Sequence, residues 1–161
     1  MSVVASPTEA ARADVAATRP DPPFRYRHAI RVRYGEVDQQ GVVFNANYFA
    51  YIDDAVELWL EDLRTNPARR EHPDLARWDF MLKKVTLEWQ GSVGSGHYLS
   101  IDMAVVRWGR SSFDVHFRGS HEGRRVFDAT ITYVTVVKGE NRPYETPAVL
   151  REYLGEAVEL G

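Results

Sequence analysis

The sequence predicts an α+β domain in which a curved antiparallel sheet of about five strands wraps one long central helix. Residues 45–64, NANYFAYIDDAVELWLEDLR, carry the longest amphipathic pattern in the chain, and one strand pattern precedes it while four follow. The four later strands are separated by short glycine-containing turns, the spacing of an antiparallel meander. A helix of about five turns buries its apolar stripe on a sheet of this size only if the sheet curls around it.

Composition bounds the function classes. The chain has 161 residues, 44% apolar and 27% charged, enough for one domain with a real core. Its formal net charge is −3 and its 20 basic residues are scattered, which argues against a nucleic-acid surface built on a basic stripe. Cysteine is absent, so disulfides, thiolate nucleophiles and cysteine-bound metals are excluded. No apolar run approaches the roughly 18–20 residues that span a bilayer, so no membrane partner is expected. Residues 1–23 lack a signal-type apolar stretch and are rich in small residues and proline, which reads as a flexible arm before a single domain over 24–161. A cytoplasmic location is the expectation.

The first strand lies in Phe24–Tyr34, where Tyr26, His28, Ile30, Val32 and Tyr34 share one face and arginines the other. In the helix, Tyr48, Tyr51, Ile52, Ala55, Val56, Trp59, Leu60 and Leu63 recur at steps of three and four. Asn45 or Asn47 is suited to cap its first turn, and Pro67 ends it near Arg64–Asn66. Residues 67–78 are polar and suit one short helix with a loop. Strands follow over 81–89, 98–106, 113–119 and 126–137; alternation puts Met81, Lys83, Val85, Leu87 and Trp89 on one face of the first, Leu99, Ile101, Met103 and Val105 on one face of the second, and Phe113, Val115 and Phe117 on one face of the third. Thr146 as a cap with Pro147 in the first turn opens a C-terminal helix running to about Leu154.

Between the first strand and the helix stands the loop DQQGVVF, with a lone acid, Asp38, seven residues before Asn45. Residues 33–60, RYGEVDQQGVVFNANYFAYIDDAVELWL, resemble the hot-dog-fold acyl-CoA thioesterases of the 4-hydroxybenzoyl-CoA thioesterase type. Asp38, Gly41, Val42, Val43, Phe44 and Tyr48 match that family's loop-to-helix motif, although many relatives have histidine at the position of Asn45. RWGRSSFDV, residues 107–115, resembles the family's arginine-glycine-x-serine-serine turn. The resemblance covers roughly residues 24–147 and implies hydrolysis of an acyl-CoA to a free acid and CoA, with no cofactor. It implies Asp38 as the acid, acting as general base on water or as nucleophile. The free N–H groups at a helix start can hold the developing oxyanion, and the N–H of Asn45, with that of Ala46, is the candidate donor. Gly41 would let the loop turn sharply. Tyr48 is a candidate substrate contact or core residue, and Arg110, Ser111 and Ser112 are candidates for the CoA phosphates, contributed across a subunit boundary in the family. A related branch uses a helix acid, which makes Asp54 or Glu57 the alternative, with at least one expected to be buried near the site.

No metal is expected, because the five histidines show no ligand spacing with nearby acids. Relatives pair sheets edge to edge, so a homodimer or homotetramer is expected. Two rival functions are a thioesterase acting on acyl carrier protein, docked by Arg69-Arg70 or the arginine-rich first strand, and a non-catalytic acyl-CoA binder.

Overall fold

The computed structural model describes residues 19–161; most of the proposed N-terminal arm lies outside that range. Six strands form one antiparallel sheet: β1 (Tyr26–Arg31), β2 (Trp78–Trp89), β3 (Tyr98–Trp108), β4 (Ser112–His121), β5 (Arg124–Val137) and the short β6 (Arg142–Pro143). Their order is β1-β3-β4-β5-β2, with β6 also on β5, so β1 and β2 are the edges. The long helix α1 is Asn47–Thr65, followed by α2 (Pro67–Arg70), α3 (Pro73–Ala76) and, after the sheet, α4 (Ala148–Leu154). The sheet curls as a half-barrel against α1, the hot-dog architecture. No helix among the described residues is long and apolar enough to cross a membrane.

The core follows from the two periodicities. All eight stripe residues of α1 are buried. They meet Leu99, Ile101, Met103 and Val105 of β3, Phe113, Val115 and Phe117 of β4, and Phe127, Ala129, Ile131 and Tyr133 of β5 in one cluster. Each fully buried Leu or Ile contributes about 1.5–3 kcal/mol of transfer free energy. On the opposite sheet face, Arg27 of β1 is held in a two-point ion pair with Asp102 of β3, directly opposite in register, at 2.5 and 2.7 Å. Asp102 is 5% exposed.

The structure corrects four local expectations. Strand β1 stops at Arg31 and Tyr34 enters a 3-10 turn (Tyr34–Glu36), 87% exposed, rather than continuing the strand face of Tyr26, His28 and Ile30. In β2 the register slips between Leu82 and Lys84, making Lys83 an extra residue. Val85, Leu87 and Trp89 therefore face the core side opposite Ile131, Ala129 and Phe127, while Met81 falls on the other face opposite Val134. The polar stretch after α1 makes two short helices rather than one. Thr146 does not cap the last helix: it is buried and its hydroxyl bonds Thr135 Oγ1 at 2.8 Å, and Pro147 occupies the cap position.

Candidate active site

The loop that carries Asp38 is folded by its own backbone. Asp38 N–H donates to the Val42 carbonyl (2.9 Å) and Gly41 N–H to the Asp38 carbonyl (3.0 Å), closing a tight reversal. Gly41 takes φ 76°, the left-handed backbone that glycine adopts without a Cβ penalty. Val37 bridges Val43, Val42 bridges Gly94, and Val43 N–H donates to the Val93 carbonyl, so the 91–97 loop backs the acid's loop. Asp38 is half-buried; its Oδ1 accepts from Gln40 N–H at 2.8 Å, and Oδ2 has no partner among the described residues.

A second acid anchors the helix start. The Glu36 carbonyl accepts from Phe44 N–H (2.9 Å) and from the Asn47 side-chain amide (2.8 Å). Its carboxylate accepts from Arg33 Nε (2.7 Å), Arg33 N–H (2.8 Å) and the Tyr51 hydroxyl (2.7 Å). Burial pushes the Glu36 carboxyl up, but the Arg33 and Tyr51 hydrogen bonds together outweigh it and hold the group below the usual value. Burial, then the bond to Glu36, pushes the Tyr51 phenol far up, so it stays a proton donor. Asn47 thus reaches back as a donor to Glu36, and its side-chain oxygen accepts no bond among the described residues.

The first turn of α1 is tight: Asn47, Tyr48 and Phe49 N–H groups donate to Phe44, Asn45 and Ala46 carbonyls at 2.8, 3.4 and 3.2 Å. The N–H groups of Asn45 and Ala46 find no acceptor among the described residues, and both residues are exposed. They are free donors at the positive end of a 19-residue helix.

The remaining candidates divide. Tyr48 is 1% exposed and packs edge-on against Tyr51, Trp89 and Phe127, so in this chain it is core beneath the helix start. Asp54 pairs with His28 Nε2 at 3.1 Å on the β1 side. Glu57 pairs with Arg64. Both acids, and Asp53, are exposed, against the expectation that one would be buried. Arg110, Ser111 and Ser112 form the β3–β4 turn, tied by their carbonyls to Thr146, Thr135 and Gly109 N–H groups. Ser112 Oγ is engaged by Arg107, itself paired with Asp114, while the exposed Arg110 side chain has no partner among the described residues. This turn lies at the far end of the 11-residue β3 from the 91–97 loop, about 34 Å away along the strand. One chain therefore does not bring Arg110 to Asp38. Sequence reasoning missed Glu36, Asn47 as donor, and Tyr51; the Arg33-x-x-Glu36 spacing was their one visible trace.

Residues 32–154 match the family profile described as the thioesterase-like superfamily. A comparison with curated proteins returns no match. Among solved structures, a thioesterase superfamily protein from Jannaschia sp. CCS1 is similar at TM-score 0.72 and 19% identity, covering 85% of this chain and 95% of that one. A 1,4-dihydroxy-2-naphthoyl-CoA thioesterase from Synechocystis is similar at TM-score 0.67 and 14% identity, covering 80% and 94%. A gentisyl-coenzyme A thioesterase is similar at TM-score 0.64 and 18% identity, covering 80% and 98%. At these identities the likeness is one of fold.

Proposed function

The chain belongs to the thioesterase-like superfamily and is a thioester hydrolase; on that premise we propose that it hydrolyses an acyl-CoA to a free acid and CoA, in the manner of the 4-hydroxybenzoyl-CoA thioesterase type. The observation that carries this reading is the pair of acceptor-free N–H groups of Asn45 and Ala46 at the start of α1. A thioester carbonyl placed on them has its developing negative charge held by preorganised donors. Asp38, with one carboxylate oxygen free, supplies the general base for water or attacks as nucleophile. Gly41 gives the loop its reversal, and Glu36 with Asn47 fixes the helix start against it.

The long β2 edge supports a two-fold dimer. Its exposed Met81, Leu82 and Trp89 are 45%, 49% and 45% accessible, an unusual apolar load for an edge strand. The Arg110 turn sits beside the first residues of β2, since Ser111 bonds Thr135 and Thr135 lies opposite Phe80. Trp89, at the other end, packs on Tyr48 below the helix start. Antiparallel pairing of two β2 edges therefore carries the partner subunit's Arg110 toward this chain's Asp38, where a cation suits the CoA phosphates. The aryl-CoA esters named for two of the similar structures make aromatic acyl groups the first class to try.

The test is thiol release from short and long aliphatic, benzoyl, phenylacetyl and hydroxybenzoyl CoA esters by wild type, Asp38→Asn and Asp54→Asn. Turnover that falls by about 10²–10⁴-fold in Asp38→Asn and stays near wild type in Asp54→Asn supports the reading. Near-normal turnover in Asp38→Asn sinks it. Binding without turnover points to an acyl-CoA binder, and activity only on acyl carrier protein points to that substrate.

A further inference from the structure

The β4–β5 turn and the end of the 91–97 loop bring together three donors that the proposed hydrolysis does not use. The ligand-capable atoms of His97, His121 and Glu122 all lie within 4.8 Å of one another. The His121 side chain is only 11% exposed, and its Nδ1 is 2.8 Å from the Tyr98 carbonyl. A carbonyl only accepts, so Nδ1 holds the proton and Nε2 presents its lone pair outward. This backbone-anchored tautomer is the arrangement that orients metal-binding imidazoles. His121 Nε2 is 3.8 Å from Glu122 Oε2, and the His97 ring meets the His121 ring edge-on at 5.0 Å between centroids. Glu122 stands at φ 48°, in a turn position that Asn, Asp or Gly fill more readily.

We propose that His97, His121 and Glu122 form a binding site for one divalent cation of the zinc class. Two imidazoles and one carboxylate match the donor preference of zinc and its neighbours, whereas calcium and magnesium take oxygen ligands. Bonds of about 2.0–2.2 Å require donors roughly 3.4 Å apart in a tetrahedral site. His97 and Glu122 are both exposed and close that difference by side-chain rotation onto the fixed His121, leaving a fourth position to water. Arg124 is 3.9 Å from the same Glu122 oxygen and 78% exposed, so it competes only weakly for it. Spacing along the chain gave no sign of this cluster because His97 lies in one loop while His121 and Glu122 lie at the end of β4 and in its turn, which only the sheet brings side by side. His97 ends the loop whose Val93 and Gly94 support Val42 and Val43, so an ion here ties the backing of the Asp38 loop to the β4–β5 turn.

The test is calorimetric titration of the EDTA-treated full chain with zinc chloride, for wild type, His97→Ala, His121→Ala, Glu122→Gln and the control His72→Asn, with magnesium chloride as the second probe. The expected result is saturation near one zinc per chain, no magnesium uptake, affinity lowered at least about tenfold by either alanine, and an unchanged control. Absence of saturable zinc uptake, or uptake that both alanine variants retain, overturns the proposal. Should His121→Ala fail to fold, His97→Ala decides alone, because the His97 side chain makes no hydrogen bond among the described residues.

Discussion

Replacing Gly119 by alanine should destabilise the fold through one contact. Gly119 of β4 lies directly opposite Phe127 of β5, and a Cβ built on it would come 2.2 and 2.3 Å from two Phe127 ring carbons. Phe127 is fully buried and packs edge-on against Tyr48 at 5.4 Å, so its ring has no free space to retreat into. Overpacking of this kind costs about 1–3 kcal/mol. Alanine also removes freedom from the unfolded chain, which favours folding by about 0.4–1 kcal/mol. The net loss is therefore about 1–2 kcal/mol, read as a urea midpoint lowered by about 0.5–1 M at unchanged slope, followed by tryptophan fluorescence at fixed protein concentration. Because the displaced ring presses on Tyr48 in the first turn of α1, turnover should fall as well where the variant remains folded. In a Phe127→Leu background the loss caused by Gly119→Ala should be smaller by at least half, a coupling of about 1 kcal/mol in the double-mutant cycle. A Gly119→Ala chain as stable as wild type, or strictly additive variants, would refute the steric account.

Other substitutions probe the remaining links. Asn45→Ala keeps the backbone N–H and should hold turnover within about threefold, far less than the loss expected from removing an oxyanion donor; a hundredfold loss would assign the work to the side chain. Arg110→Glu should raise KM for a CoA ester by about tenfold or more, the equivalent of one charge-assisted bond, with kcat little changed; an unaltered KM removes Arg110 from substrate binding. Glu36 has a folded pKa below its ordinary 4.5, so its contribution to stability is present above that value and is lost as pH falls through the folded pKa. Glu36→Gln should therefore flatten acid unfolding in that window, and an unchanged profile would count against the Arg33–Glu36–Tyr51 cluster. Arg27→Ala strands the 5%-exposed Asp102 without its cation and should cost about 3–5 kcal/mol in chemical denaturation; a loss under 1 kcal/mol would show that water replaces the pair.

The helix and the sheet were legible because each imposes a period on the chain. All eight residues placed on the α1 stripe are buried, and so are Leu99, Ile101, Met103 and Val105 of β3 and Phe113, Val115 and Phe117 of β4, which alternation sets on one face of each strand. Alternation failed in β2 because one extra residue, Lys83, inverts the phase, and a single sequence gives no sign of which residue a bulge leaves out. Tyr34 and Thr146 were misplaced for a related reason: both continue a local pattern that a tertiary contact cuts short, the Glu36 turn in one case and the Thr135 hydroxyl in the other. The Asp38 loop was visible through its motif. Glu36 was not, since its role depends on Tyr51 and Asn47 arriving from the next element. The separation of Arg110 from Asp38 is a property of strand direction, which no local pattern encodes.

The pairing of β2 with β5 also governs the order in which this chain becomes stable during its synthesis. β2 is made before β3 and β4, yet it has no neighbour until β5 is complete. The α1 stripe waits equally long, because the face that covers it is shared among β3, β4 and β5. A nascent chain halted before Arg124 thus exposes both an apolar helix and a bare strand. Such nonlocal closure is slow and open to misassociation, so a pause before the last long strand leaves the nascent chain at its most exposed.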